Sequence, residues 1–285
     1  MKVIYIVSTG RSGSTLVDVI LGNSPVGHSL GEIYAIYRPF KKNHLDASCR
    51  CQNTQCKYET IIKNSDEDSF HENLLKKTDI EYLVDSSKDL NYLIDCYNRN
   101  LEKNISQHFL VVYKSPINLC YSHFKRGKSI KSWMRYYNYY NEFIETNIPF
   151  TAVNYEELVE EPKLILTKIC DIFDIPYSIR NIDFWKNTPH YYFGSKSIEK
   201  IYNSKNPKII QGVLPSNFES KFEICKATDK YKQILNVLDT LKQYDINGRD
   251  KANEEIKRKV IKNFNYTKRQ AKHNYRKLRN TILSK

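Results

Sequence analysis

Long apolar runs are missing. No stretch of the 285 residues approaches the ~18 consecutive apolar residues that a membrane-spanning helix needs. No secretory leader is expected, because Val3-Ile4-Tyr5-Ile6-Val7 is too short for its apolar region and Ser8-Thr9-Gly10-Arg11 follows at once. Glycine and proline are sparse, nine of each, which excludes collagen-like architectures. An apolar content of 40% excludes wholesale disorder. Seven cysteines, an odd number without a leader, exclude a small disulfide scaffold and fit reduced thiols in a cytoplasm. Such a length supports one large domain, or one domain with an appendage.

Charge of one sign is plentiful overall and scarce where it first matters. The net charge of +13 invites a nucleic-acid reading. Residues 251–285, however, hold twelve Lys/Arg against two Glu. Of the 45 Lys+Arg and 32 Asp+Glu in the chain, the first 250 residues keep 33 and 30, close to balance. The basicity therefore belongs to a tail. Ile256, Val260 and Phe264, then Ala271, Tyr275, Leu278 and Ile282, recur at helical spacing, which predicts a basic amphipathic helix. Two domains of unequal kind are expected: an α/β body over 1–248 and a helical tail over 249–285.

The body opens as strand, small-residue loop, helix. Val3–Val7 is β-branched or aromatic, and Thr15–Leu21 reads as a buried helix stopped by Gly22-Asn23-Ser24-Pro25. Tyr82-Leu83-Val84 and Phe109–Tyr113 read as central parallel strands whose ends run into Asp85-Ser86-Ser87-Lys88 and Lys114-Ser115-Pro116. Thr151-Ala152-Val153 is a fourth expected strand. Helices are expected over 91–101, 117–126, 129–146, 163–173 and 228–243, with Trp133, Tyr136, Tyr137 and Tyr140 read as core. Residues 175–220 read as irregular surface. In the polar stretch around residue 50, Cys49, Cys51 and Cys56 could hold zinc if a fourth ligand such as His44 came close. The spacing does not match paired C-x2-C knuckles, so ordinary thiols are the plainer reading and no metal is assigned.

The loop Ser8–Thr15 is the most informative segment. Small residues between a strand and a helix let backbone amides approach an anion, and the helix N-terminus adds a favourable dipole. A triphosphate loop would follow G-x-x-x-x-G-K-[ST]. With Gly13 as the second glycine, the lysine position is Ser14, and a cation appears instead at Arg11. The loop suits a phosphate and disfavours triphosphate chemistry.

Thr9-Gly10-Arg11-Ser12-Gly13-Ser14-Thr15-Leu16 resembles the 5′-phosphosulfate loop of sulfotransferases that use 3′-phosphoadenosine 5′-phosphosulfate (PAPS). It is most similar to the "RSGSTL" branch, which includes bacterial, tyrosylprotein and carbohydrate sulfotransferases. The resemblance continues in order over about residues 3–200: Asn23-Ser24-Pro25, Gly31-Glu32, Asp85-Ser86-Ser87-Lys88, then Lys114-Ser115-Pro116 with Ser122. A cysteine cluster near residue 50 also recurs in that branch, and His190 to Gly194 is similar to a C-terminal "H…GN" segment. Two departures stand out. Lys114-Ser115-Pro116 replaces the usual Arg-Asp-Pro, losing the bidentate fork of arginine, and Ser195 stands where Asn is common.

The resemblance implies a P-loop-like parallel sheet flanked by helices, and transfer of the sulfuryl group from PAPS to an acceptor hydroxyl. Arg11, Ser12, Gly13, Ser14 and Thr15 would bind the 5′-phosphosulfate, and Lys114 and Ser122 the 3′-phosphate. Arg11 would neutralise the leaving oxygen, and Glu32 would accept the hydroxyl proton with His28, His123 and Asp85 in reserve. Lys88 would either stabilise sulfate charge or pair with Asp85 or Asp89. No metal is required by this chemistry. The expected acceptor is a carbohydrate, lipid or small metabolite, with peptide tyrosine also open. A cytoplasmic setting is expected, with the tail offering contact to an anionic membrane surface and nucleic acid a weaker partner. A nucleotide kinase, or a non-catalytic anion- or membrane-binding protein, is the alternative.

Overall fold

The computed structural model describes residues 1–205 and 214–247. The basic helix expected over 251–285, and the expected domain boundary at 248, lie outside the described residues.

Five strands form one sheet: β1 Lys2–Val7, β2 Gly27–Gly31, β3 Tyr82–Asp85, β4 Ser106–Tyr113 and β5 Thr151–Asn154. They are ordered β2-β3-β1-β4-β5, and every pairing is parallel. The expected α/β class with a parallel sheet is thus the observed one. Four of the strands are those expected. The fifth, β2, has the sequence Gly-His-Ser-Leu-Gly, which carries little strand propensity. It forms because β3 offers it a partner, a case of tertiary context outweighing local preference.

Both faces of the sheet are covered, as a parallel sheet requires. Val3, Tyr5 and Val7 pack into one core with Phe109, Val111 and Tyr113. Ile4 and Ile6 pack into the other with Leu110 and Val112. Helix α1, Ser14–Gly22, crosses the second face from β1 to β2, and all nine of its residues are buried. The helix Leu90–Leu101 crosses the first face from β3 to β4, burying Tyr92, Leu93, Cys96 and Tyr97.

The chain therefore leaves β1 toward β2 and leaves β4 toward β5, so adjacent strands send their connections in opposite directions. In open α/β sheets such a switch point, at the carboxyl ends of the strands, is where ligands bind.

Three helical expectations change. The segment 129–146 is divided: a 3-10 turn over Ser132–Arg135 precedes the helix Tyr136–Glu145. Trp133, Tyr137 and Tyr140 are core residues as expected, whereas Tyr136 is half-buried. The stretch read as irregular holds short helices over Ile179–Ile182 and Lys196–Ser204, capped by Ser178 and Ser195. Ser195 thus has a capping role, its hydroxyl accepting from the Ser197 N–H. Finally, Phe218–Lys226 is a further helix, against the body near the helix Pro116–Phe124. Among the described residues, no helix is long and apolar enough to cross a membrane.

Candidate active site at the carboxyl ends of the central strands

The loop after β1 is held by its own hydrogen bonds. The Ser12 hydroxyl donates to the Thr9 carbonyl at 2.8 Å, and the Ser12 N–H reaches the same oxygen at 3.3 Å. The Tyr140 hydroxyl, which donates to the Val112 carbonyl at 2.9 Å, lies 3.4 Å from Thr9 Oγ1. Ser12 is completely buried, so its side chain shapes the loop, and a ligand there would meet its backbone.

Gly13 has φ +103° and directly precedes α1, which carries no side-chain cap. The first amides of α1 are therefore free to point at an anion. A Cβ at Gly13 would sit 2.0 Å from the Tyr155 ring, so the residue is dictated by both conformation and space. Arg11 follows with φ 79°, and its Nε donates to Ser122 Oγ at 3.2 Å.

That contact joins the loop after β1 to the helix after β4, Pro116–Phe124. The two groups assigned by sequence to opposite ends of one nucleotide meet at the switch point. Lys114 stands beside them, its Nζ 3.9 Å from the centre of the Tyr155 ring. Burial holds the Lys114 ammonium down to about 8; Glu156 opposes this, and Arg11 and Lys125 reinforce it. Burial also lowers Arg11, and nearby Arg126 adds to the effect. Glu156 is occupied elsewhere, accepting from the Ser115 hydroxyl and the Asn118 amide at 2.8 Å each. Neither Arg11 nor Lys114 has a carboxylate at ion-pair distance among the described residues.

One strand further along, Glu32 follows β2 and Lys88 follows β3, and the two side chains form an ion pair. Both are partly buried, at 26% and 18% exposure. The expected pairing of Lys88 with Asp85 or Asp89 is corrected here. Asp85 is fully buried and accepts from the Tyr92 hydroxyl at 3.0 Å and the Ser87 N–H at 2.9 Å. Asp89 caps the helix Leu90–Leu101 through the Tyr92 N–H. Strands lie about 4.8 Å apart, so the end of β2 is roughly 10 Å from that of β1.

Behind these groups Asp18 of α1 receives the Ser29 and Ser86 hydroxyls at 2.5 Å each. Its complete burial raises it to about 7 despite those two donors.

The reserve residues separate. His123 is buried beside Gly10, against the Tyr136 ring at 4.7 Å, and its Nε2 has no partner. Burial lowers it, as do the cations Arg11, Arg135 and Arg126. His28 lies away from the loop, 4.1 Å from the Tyr58 ring, and burial holds it down to about 3. Asp85 serves the interior. Arg126 is exposed beyond the end of the helix Pro116–Phe124.

The fourth cysteine-cluster partner is also corrected. His44 packs edge-on against Phe40 at 4.3 Å and near Phe193 at 4.8 Å. The imidazole beside Cys49, Cys51 and Cys56 belongs to His190.

Tyr155 is the residue that sequence reasoning missed. Its signal was position: it is the first residue after β5, in the row of strand ends that supplies Arg11, Glu32, Lys88 and Lys114.

No protein-family model matches the chain, and no curated protein matches its sequence. Among solved structures, the chain is similar to the sulfotransferase domain of the Synechococcus PCC 7002 olefin synthase, with TM-score 0.51 and 14% identity. That match covers 80% of this chain and 95% of the other. The sulfotransferase domain from the curacin biosynthetic pathway also matches, with TM-score 0.48 and 17% identity over 80% of this chain and 98% of the other. The first likeness shows that the chain has a sulfotransferase-type fold.

Proposed function

We propose that this protein transfers a sulfuryl group from PAPS to an acceptor hydroxyl. The observation that carries the reading is the meeting of Arg11, Ser122 and Lys114 at the switch point, two cations without a carboxylate partner beside the uncapped start of α1. Two unpaired cations from different strand ends fit a ligand with more than one anionic group, and PAPS has a 5′-phosphosulfate and a 3′-phosphate. The sulfotransferase-type fold supports the same reading.

In this reading the amides of residues 11–15 hold the 5′-phosphosulfate, while Lys114 and Ser122 receive the 3′-phosphate. Tyr155 closes the floor under Gly13. The acceptor oxygen attacks sulfur in line, the bridging S–O bond breaks, and its electron pair leaves on the 5′-phosphate. Arg11 faces that developing charge. Glu32 takes the acceptor proton, and Lys88, already paired with it, keeps the carboxylate oriented toward the neighbouring strand end. The chemistry asks nothing of a metal. Carbohydrate, lipid and small-metabolite hydroxyls are the proposed acceptors, and residues 251–285 are the proposed contact to an anionic membrane surface. The missing loop lysine counts against a kinase.

Calorimetry with adenosine 3′,5′-bisphosphate in the absence of magnesium tests the assignment. Micromolar binding by the wild type, lost in Lys114→Ala/Ser122→Ala, is expected. No wild-type binding, unchanged binding in the double variant, or tighter binding of Mg-ATP would each refute it.

A further inference from the structure

A second constellation lies beyond the edge strand β2. Residues 48–57, Ser-Cys-Arg-Cys-Gln-Asn-Thr-Gln-Cys-Lys, contain no aliphatic or aromatic side chain. A segment of this composition cannot order itself by burying apolar surface. It nevertheless folds into successive turns, and buries Cys49 and Cys56 to 2% and 4% exposure. The two sulfurs join the core cluster on the first face of the sheet and also meet His190, more than 130 residues away in sequence.

The ligand atoms of Cys49, Cys51, Cys56 and His190 all lie within 4.8 Å of one another. His190 Nδ1 is 3.6 Å from Cys49 Sγ and 3.7 Å from Cys56 Sγ. One ring nitrogen carries one proton at most, so at most one of these contacts is a full hydrogen bond and the other is a shared bond or plain contact. The same two distances also suit an ion shared by all three groups. With Zn–S near 2.3 Å and Zn–N near 2.05 Å, a tetrahedral N···S edge comes to about 3.6 Å. All seven cysteines are unbridged, so the three sulfurs are available as ligands.

We propose that Cys49, Cys51, Cys56 and His190 Nδ1 form a structural zinc site. Three soft thiolates and one imidazole select zinc among the common divalent ions, and four protein ligands leave no open coordination position. The three thiols release their protons to solvent on binding, and Lys57 is close enough to act electrostatically on His190. The site stands independently of the sulfotransferase reading. It adds to the Arg50 N–H bond to the Tyr191 carbonyl and the Arg50–Glu199 ion pair, which already tie this segment to the chain beyond residue 190. Two residues beyond His190, the Tyr192 N–H donates to the Leu30 carbonyl at 3.1 Å, and the Tyr192 carbonyl accepts from the Glu32 N–H at 2.9 Å.

The test is metal content of the full-length protein, reduced, offered zinc and passed through a weak chelator. One zinc per chain is expected in the wild type and in Cys170→Ala. Loss of the ion is expected in Cys56→Ser and His190→Ala. Cobalt in place of zinc should give the intense visible bands of a tetrahedral thiolate site, and these need no variant to fold. His190→Cys should regain the ion with an altered cobalt spectrum. A folded wild type that takes up neither zinc nor cobalt overturns the proposal. So does wild-type retention of zinc in both His190→Ala and Cys56→Ser, which would place the ion elsewhere.

Discussion

Residues 8–15 and residues 48–57 are both short, polar and poor in apolar side chains, yet they are fixed by different means. The first is seated on the ends of β1 and β4, with Tyr140 and Tyr155 packed against it. Its shape comes from the sheet, so it can leave Arg11 and Lys114 without counter-charges. The second sends Cys49 and Cys56 into the core and brings their sulfurs, with that of Cys51, to one imidazole. A binding site needs unsatisfied charge on a rigid support; a fastening needs every group satisfied internally. The two segments show each requirement separately.

The largest expected effects separate them. Arg11→Ala removes the cation proposed to face the leaving group and should lower turnover by about 10²–10³-fold, with little change in melting temperature. Cys56→Ser should do the reverse, lowering the melting temperature while leaving bisphosphate affinity within a fewfold of wild type. If Arg11→Ala unfolds the protein, or Cys56→Ser abolishes bisphosphate binding, the division of labour is wrong.

A smaller effect comes from the buried lysine. Lys114 is held down to about 8, so if its protonated form binds the phosphate as proposed, bisphosphate affinity should fall as pH rises from about 7 to 9. Calorimetry across that range should show the decline, and Lys114→Arg should flatten it.

The smallest lies behind both regions. Burial raises Asp18 to about 7, above its ordinary value, so the native state binds the extra proton. Its contribution is present below the usual carboxylate range and lost as pH climbs toward about 7. Asp18→Asn should therefore melt a few degrees higher than wild type at pH 8, with the gap closing at pH 5. An unchanged gap would mean that the Ser29 and Ser86 hydroxyls hold Asp18 ionised throughout.

Much of the arrangement could be read from the residues alone. Val3–Val7 and Phe109–Tyr113 announced buried parallel strands because apolar residues fill both faces, and Arg11, Lys88 and Lys114 follow strand ends as expected. What could not be read has a common physical cause. The strand β2, the pairing of Lys88 with Glu32, the stacking of Tyr155 under Gly13 and the approach of His190 to Cys49 are all long-range partnerships. Local propensity carries no trace of a partner supplied by a distant segment. His44 was the nearer candidate in sequence, and Phe40 and Phe193 claim it instead.

Residues 190–194 touch three places within five residues. His190 meets the sulfurs, Tyr192 pairs with the end of β2, and Gly194, at φ +114°, lies so close to Thr15 that a Cβ would come within 2.8 Å of its methyl group. The spacing between these three anchor points is therefore a measured length of chain. Tyr191 is buried in the core and Phe193 packs on His44, so the side chains between the anchors are held as well, and adding or deleting one residue would pull His190, Glu32 and the β1 loop out of step together. In this strap, length is the constrained quantity.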